Sequence, residues 1–215
     1  MSPPSATLSP ADACRTVHQL LSTLPVFTAP KEVPFQDGLY FFYQSSEKSL
    51  HGVGGRVVRV GNHPRADGGL KRRLQQHYSG SKNGSVFRRF LGGALLRRAA
   101  PGSPCLSPGP GQGHWEQQDE RCCDSCRDVE KEVSAILRAS FHFRCISVRD
   151  RTVRNHLEAL LIATLAACPT CMPSPSWLGL DAYSKVLRRS GLWNSQHVDS
   201  DNDGRRRPHN LRAAC

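Results

Sequence analysis

The chain has 215 residues, with 29 Lys and Arg against 18 Asp and Glu and a net charge of +11 at neutral pH. That length builds one globular domain with a real core and is marginal for two, and the surplus of cations favours a polyanion partner, nucleic acid being the commonest. There is no run of about 18 apolar residues to span a bilayer, no basic start followed by an apolar run as in a secretory signal, and no regular spacing among the nine cysteines to suggest a secreted disulfide framework.

A cytoplasmic location is therefore expected, or the nucleus in a eukaryotic cell. Residues 1–14 are rich in Ser, Pro and Ala and should be loose. Residues 15–24 place Val17, Leu20, Leu21 and Leu24 at helical spacing, and Pro25 and Pro30 follow as breakers. GLYFFYQ from Gly38 and RVVRV from Arg56 alternate in the way of strands, joined by a Gly-rich loop. Tyr40 and Phe42 then face one side of the first strand, Phe41 and Tyr43 the other. A helix over 67–78 takes Asp67 as N-cap and buries Leu70 and Leu74. SVFRRFLGGALLRR from Ser85 reads as a helix, broken or closely packed at Gly92 and Gly93. Residues 99–128 are Pro- and Gly-rich and read as a loop insertion, with Trp115 as its anchor. A helix from 128 carries the stripe Val129, Val133, Ile136 and Leu137, and a third strand runs from Phe141 to Val148. The long apolar helix RTVRNHLEALLIATLAA ends at Pro169, and a last short helix ends at Gly191. The charged tail 199–215 should be disordered. These elements predict an α/β fold: a small, mainly antiparallel three-stranded sheet flanked by helices.

Gly38-Leu39-Tyr40, then Val60-Gly61, then Arg73-x-x-x-His77, then Glu158 in an apolar helix, then Asn194, occur in that order. The series resembles the GIY-YIG nuclease superfamily, over roughly Pro34 to Val198. The tyrosine of the second triplet is replaced by Arg59. The resemblance implies a GIY-YIG-like nuclease domain over 34–198 with the insertion at 99–128, preceded by a tail and short helix (1–33) and followed by the tail. It also implies hydrolysis of phosphodiester bonds with a divalent metal, Mg2+ or Mn2+. Its candidate catalytic residues are Tyr40, His63, Arg73, His77, Glu158 and Asn194.

Glu158 is the only charge between Leu157 and Ala167, with Leu161, Ile162 and Leu165 beside it. A carboxylate so placed needs a partner to offset its lost hydration. On residues alone that partner is Arg154, one turn back; the resemblance favours Mg2+, bound by the carboxylate, waters and a phosphate. Arg73 can clamp a phosphate with its guanidinium fork. Tyr40 can align or deprotonate water, and His63 or His77 can take the proton in place of the lost phenol; each histidine alone reads equally as a surface residue. Asn194 resembles a residue that holds the phosphate or the site, and on its own reads as a turn or cap residue. Arg72, Arg88, Arg89, Arg97 and Arg98 are candidates for phosphate-backbone contact, against a plain solvated face. Cys123-x-x-Cys126 and Cys168-x-x-Cys171 have zinc-ligand spacing, so a structural zinc site with these four cysteines as ligands is geometrically open; unrelated thiols are the preferred reading. The favoured function is a metal-dependent endonuclease on nucleic acid, DNA before RNA. The alternative is a GIY-YIG-like nucleic-acid-binding module without catalysis.

Overall fold

The structure, a computed structural model, describes residues 8–52, 54–63, 69–106, 115–116 and 124–199. Its centre is an antiparallel sheet of three strands. β1 (Gly38–Lys48) lies in the middle, with β2 (Gly55–Gly61) on one side and β3 (Phe141–Ser147) on the other. The register sets Tyr40 opposite Gly61 and Cys145, and Phe42 opposite Arg59 and Phe143. β1 runs four residues beyond the sequence pattern, through register shifts against β2 after Phe42 and after Tyr43. Gly52 and Gly54 turn the chain back at φ of 77° and 71°, a conformation that costs glycine little.

Alternation along β1 divides the core into two layers. Tyr40 and Phe42 join α2 (Gly69–Ser79), α3 (Val86–Ala99) and α4 (Asp124–Ser140), together with Trp177 and Trp193. Leu39, Phe41 and Tyr43 join α1 (Pro10–Ser22), α5 (Arg151–Ala166) and Leu192. Both faces of the central strand are covered, which explains its continuous apolar run. No helix among the described residues is long and apolar enough to cross a membrane.

Helix ends follow local chemistry. α1 begins five residues earlier than its apolar spacing predicts, because Ser9 caps it, accepting from Asp12 N–H at 3.1 Å, and Pro10 occupies the first turn. α3 is continuous through Gly92 and Gly93. A Cβ at Gly92 would stand 2.0 Å from the Trp115 ring, so the glycine is there for close packing. Trp115 is fully buried and donates its indole N–H to the Arg89 carbonyl at 2.8 Å, the expected anchor. Asp150 caps α5, and α6 (Lys185–Ser190) ends at Gly191 with φ of 68°. Asp67, expected to cap α2, lies outside the described residues, as does the tail from 200.

Candidate active site

Tyr40 and Gly61 face each other across β1 and β2. A Cβ at position 61 would lie 2.2 Å from the Tyr40 hydroxyl. The glycine of the second triplet thus makes room for the tyrosine of the first. Tyr40 is buried, and its hydroxyl bonds His77 Nε2 at 2.8 Å. His77 Nδ1 meets the Ser85 hydroxyl at 2.7 Å, and that oxygen also accepts from Arg88 N–H as the cap of α3. With the phenol donating to Nε2, the Nδ1 proton goes to Ser85. Burial lowers the His77 pKa well below 6.5, and the charges of Arg59, Arg73 and Arg88 lower it further. The shift favours the neutral imidazole, which in the tautomer with its proton on Nδ1 accepts from Tyr40.

Arg59 brings a cation to the place of the second-triplet tyrosine. Its guanidinium lies 5.1 Å from the Phe87 ring centroid, donates to the Trp193 carbonyl, and acts electrostatically on both His77 and Glu158. Its buried Nε has no hydrogen-bond partner among the described residues. Arg73, half-buried on α2, donates to Gln76 Oε1 at 3.0 Å and to the Gly84 carbonyl at 2.9 Å, and its charge also reaches both groups.

Glu158 projects from α5 toward the end of β2 and accepts Asn62 N–H at 3.1 Å. Burial raises its pKa, opposed by Arg59, the Asn62 N–H and Arg73. Its other oxygen takes no hydrogen bond among the described residues. The alternative partner, Arg154, is engaged elsewhere: it pairs with Asp37 at 3.4 Å and donates to the Val148 and Arg149 carbonyls. The one-turn salt bridge to Glu158 does not form, because the guanidinium closes the end of β3 instead. Among the described residues the other Glu158 oxygen is open to a cation, and one carboxylate with water and phosphate is a ligand set that Mg2+ takes.

A family model described as a GIY-YIG domain matches residues 17–209. The chain belongs to the GIY-YIG family. Among curated proteins, and among solved structures, nothing matches it. A GIY-YIG domain implies nuclease-type function with nucleic acid as substrate. The three-stranded antiparallel sheet flanked by helices is consistent with the GIY-YIG fold.

The remaining sequence candidates fall into different places in this GIY-YIG domain. His63 is buried beside Asp37 Oδ1 at 3.3 Å and Gly38 N at 3.4 Å, whereas the bond to Tyr40 comes from His77. Asn194 clamps β2: it accepts from Val60 N–H at 3.0 Å and donates to the Val60 carbonyl at 2.8 Å. It is neither a cap nor a turn residue but a side chain that copies a strand neighbour. Arg88 is not a phosphate contact. It is fully buried, grips Glu130 at 2.6 and 3.0 Å, and donates to the His77 carbonyl. Arg97 pairs with Glu116 and Arg98 with Asp181, both at 2.6 Å. Arg89 is half-buried and Arg72 exposed. The grouping of two cysteine pairs around one zinc also fails: Cys126 packs in the Tyr40 layer, 3.4 Å from Cys105, while Cys168 and Cys171 sit in the opposite layer. Cys123 lies outside the described residues.

Sequence reading missed three contributors. Ser85 has a signal, since a serine before an apolar helix is an N-cap; its second bond, to His77, has none. Arg59 shows only as a departure from the triplet, not as a buried cation between two site residues. Asn62 acts through its backbone N–H, which no residue pattern marks.

Proposed function

We propose that this GIY-YIG domain is a divalent-metal-dependent endonuclease, with DNA favoured over RNA. The observation that carries the reading is the hydrogen-bonded chain Tyr40–His77–Ser85, with Arg59 and Arg73 acting on both His77 and Glu158. In hydrolysis a water oxygen bonds to phosphorus while the bond to the leaving oxygen breaks. The Tyr40 oxygen accepts the water's proton as its own passes to His77 Nε2, and Ser85 holds the imidazole in the tautomer that can receive it. Burial is the main cause that keeps His77 neutral, and the incoming phosphate offsets the further part that comes from the arginine charges. Arg73 exchanges its local acceptors for phosphate oxygens, and Arg59 adds a fixed positive charge in a buried setting. Glu158 would hold Mg2+ or Mn2+, which supplies charge stabilisation at the leaving oxygen. In this reading His77 takes the role of the missing phenol, and His63 sets the end of β1.

A binding module without catalysis draws support from Arg59 in the second triplet. Against it, Arg88, Arg97 and Arg98 are spent on internal carboxylates, leaving less of α3 for a phosphate-binding face than its sequence suggests. The test is cleavage of duplex, branched and single-stranded oligonucleotides, DNA and RNA, with Mg2+, Mn2+ or EDTA. The expected result is metal-dependent cleavage that falls by orders of magnitude in Tyr40→Phe. A wild-type protein that binds but cuts none of these leaves the binding module as the correct reading.

A further inference from the structure

Across the sheet from the Tyr40–His77 pair, five potential ligands converge from three parts of the chain. Cys14 and His18 come one turn apart on α1, His51 from the loop between β1 and β2, and Cys168 and Cys171 from the segment after α5. Their ligand atoms form two triads, Cys14–His18–Cys171 and Cys14–His51–Cys168, each with all atoms within 4.8 Å of one another. Cys14 is common to both. His18 Nε2 lies 3.5 Å from Cys171 Sγ, and His51 Nε2 lies 3.4 Å from Cys168 Sγ. A tetrahedral zinc, with bonds of about 2.3 Å to sulfur and about 2.0 Å to nitrogen, holds such atoms about 3.5 Å apart.

We propose that Cys14, His18 and Cys171, which already meet as one triad, bind one zinc ion together with Cys168, drawn in from the second triad through their shared Cys14, and that the ion ties α1 to the segment after α5. These four are the buried members of the group, at 0, 2, 4 and 8% exposure, and His51 is half-buried. Cys14 and His18 stand four apart and share one face of α1. Cys168 and Cys171 have the two-residue spacing of a zinc knuckle, and the Cys171 N–H already points at Cys168 Sγ at 3.3 Å. Such a donor stabilises a thiolate. His51 beside Cys168, and the Ser49 hydroxyl 3.9 Å from Cys171 Sγ, are outer partners that orient the sulfurs. Binding releases the thiol protons to solvent, with no change of redox state. Three thiolates and one imidazole make a closed, structural set with no open position for chemistry. The site lies on the other face of the sheet from Tyr40 and does not depend on the metal role proposed for Glu158.

The test uses the full chain purified under reducing conditions, with metal measured per mole of protein. The expected value is one zinc, absent in Cys14→Ser/Cys171→Ser and retained in Cys126→Ser, whose sulfur lies in the other layer. Replacement by Co2+ should give thiolate charge-transfer and intense tetrahedral d–d absorption. That measurement on the wild type stands even if the double variant fails to fold. His18→Ala should weaken zinc retention against a chelator at least tenfold, and His51→Ala less. Wild-type protein that takes up neither zinc nor tetrahedral Co2+, or a double variant that keeps its zinc, overturns the proposal. So does a Cys14–Cys171 disulfide in protein kept reduced.

Discussion

At the scale of single residues, the site depends on a glycine as much as on its polar groups. Adding one methyl at position 61 places a carbon 2.2 Å from the Tyr40 hydroxyl. Gly61→Ala must therefore displace the phenol from His77, at a cost of about 1–3 kcal/mol of overpacking. Thermal melting together with a cleavage assay should show both moderate destabilisation and loss of turnover; a variant with wild-type values for each would mean that the phenol is not held there. His77 supplies a second residue-scale prediction. Its pKa is lowered in the folded state from 6.5, so below that pH the unfolded chain binds a proton that the folded chain does not. Its contribution to stability is full above pH 6.5 and is lost as pH falls toward the folded pKa, at up to about 1.4 kcal/mol per pH unit. Melts between pH 8 and pH 5 should fall more steeply for the wild type than for His77→Gln. Equal slopes would place the titration on another group.

At the scale of elements, α3 carries much of the difference between sequence and structure. The pattern SVFRRFLGGALLRR marks a helix, and it forms with Ser85 as its cap. The pattern does not tell which arginines face inward. Arg88 does, because Glu130 on α4, 42 residues away, meets its guanidinium. A partner so distant in sequence has no local signature. Arg88→Ala would leave Glu130 Oε2 and the His77 carbonyl without the donor they share, while Lys82 N–H still meets Glu130 Oε1, with a loss of about 3–5 kcal/mol. Chemical denaturation should report that loss; a change below about 1 kcal/mol would return Arg88 to the surface. The end of α5 gives the same lesson. Arg154 stands one turn from Glu158 in sequence, yet Asp37 and two carbonyls hold it at the end of β3. One-turn spacing marks who can pair on a helix, not who does.

At the scale of the whole molecule, the three strands, their alternation and the order of the site residues were legible because they are local or periodic. The two-layer core follows from alternation along β1, and the triplets from the contact of Tyr40 with Gly61. What could not be read were the choices between partners: His77 rather than His63 for Tyr40, Asp37 rather than Glu158 for Arg154, and α1 rather than Cys126 beside Cys168 and Cys171. Each is decided by tertiary placement. The net charge of +11 remains the molecule's long-range property, and pairing of Arg88, Arg97 and Arg98 narrows the set that can release counterions. Oligonucleotide affinity should fall with salt, and Arg72→Ala should reduce the slope of log K against log salt by about 1. Affinity flat between low and physiological salt would count against nucleic acid as a partner.

The most direct measurement is on Glu158→Gln, which keeps the side chain's size and its ability to accept from Asn62 while removing the charge. Cleavage with Mg2+, oligonucleotide binding and thermal stability are measured on this one variant. If the carboxylate holds the ion, turnover drops by orders of magnitude, since the charge stabilisation is worth several kcal/mol. Binding is kept or slightly strengthened, and the fold is retained, because Arg154 is not its partner. A folded Glu158→Gln protein that cuts at the wild-type rate would contradict the account.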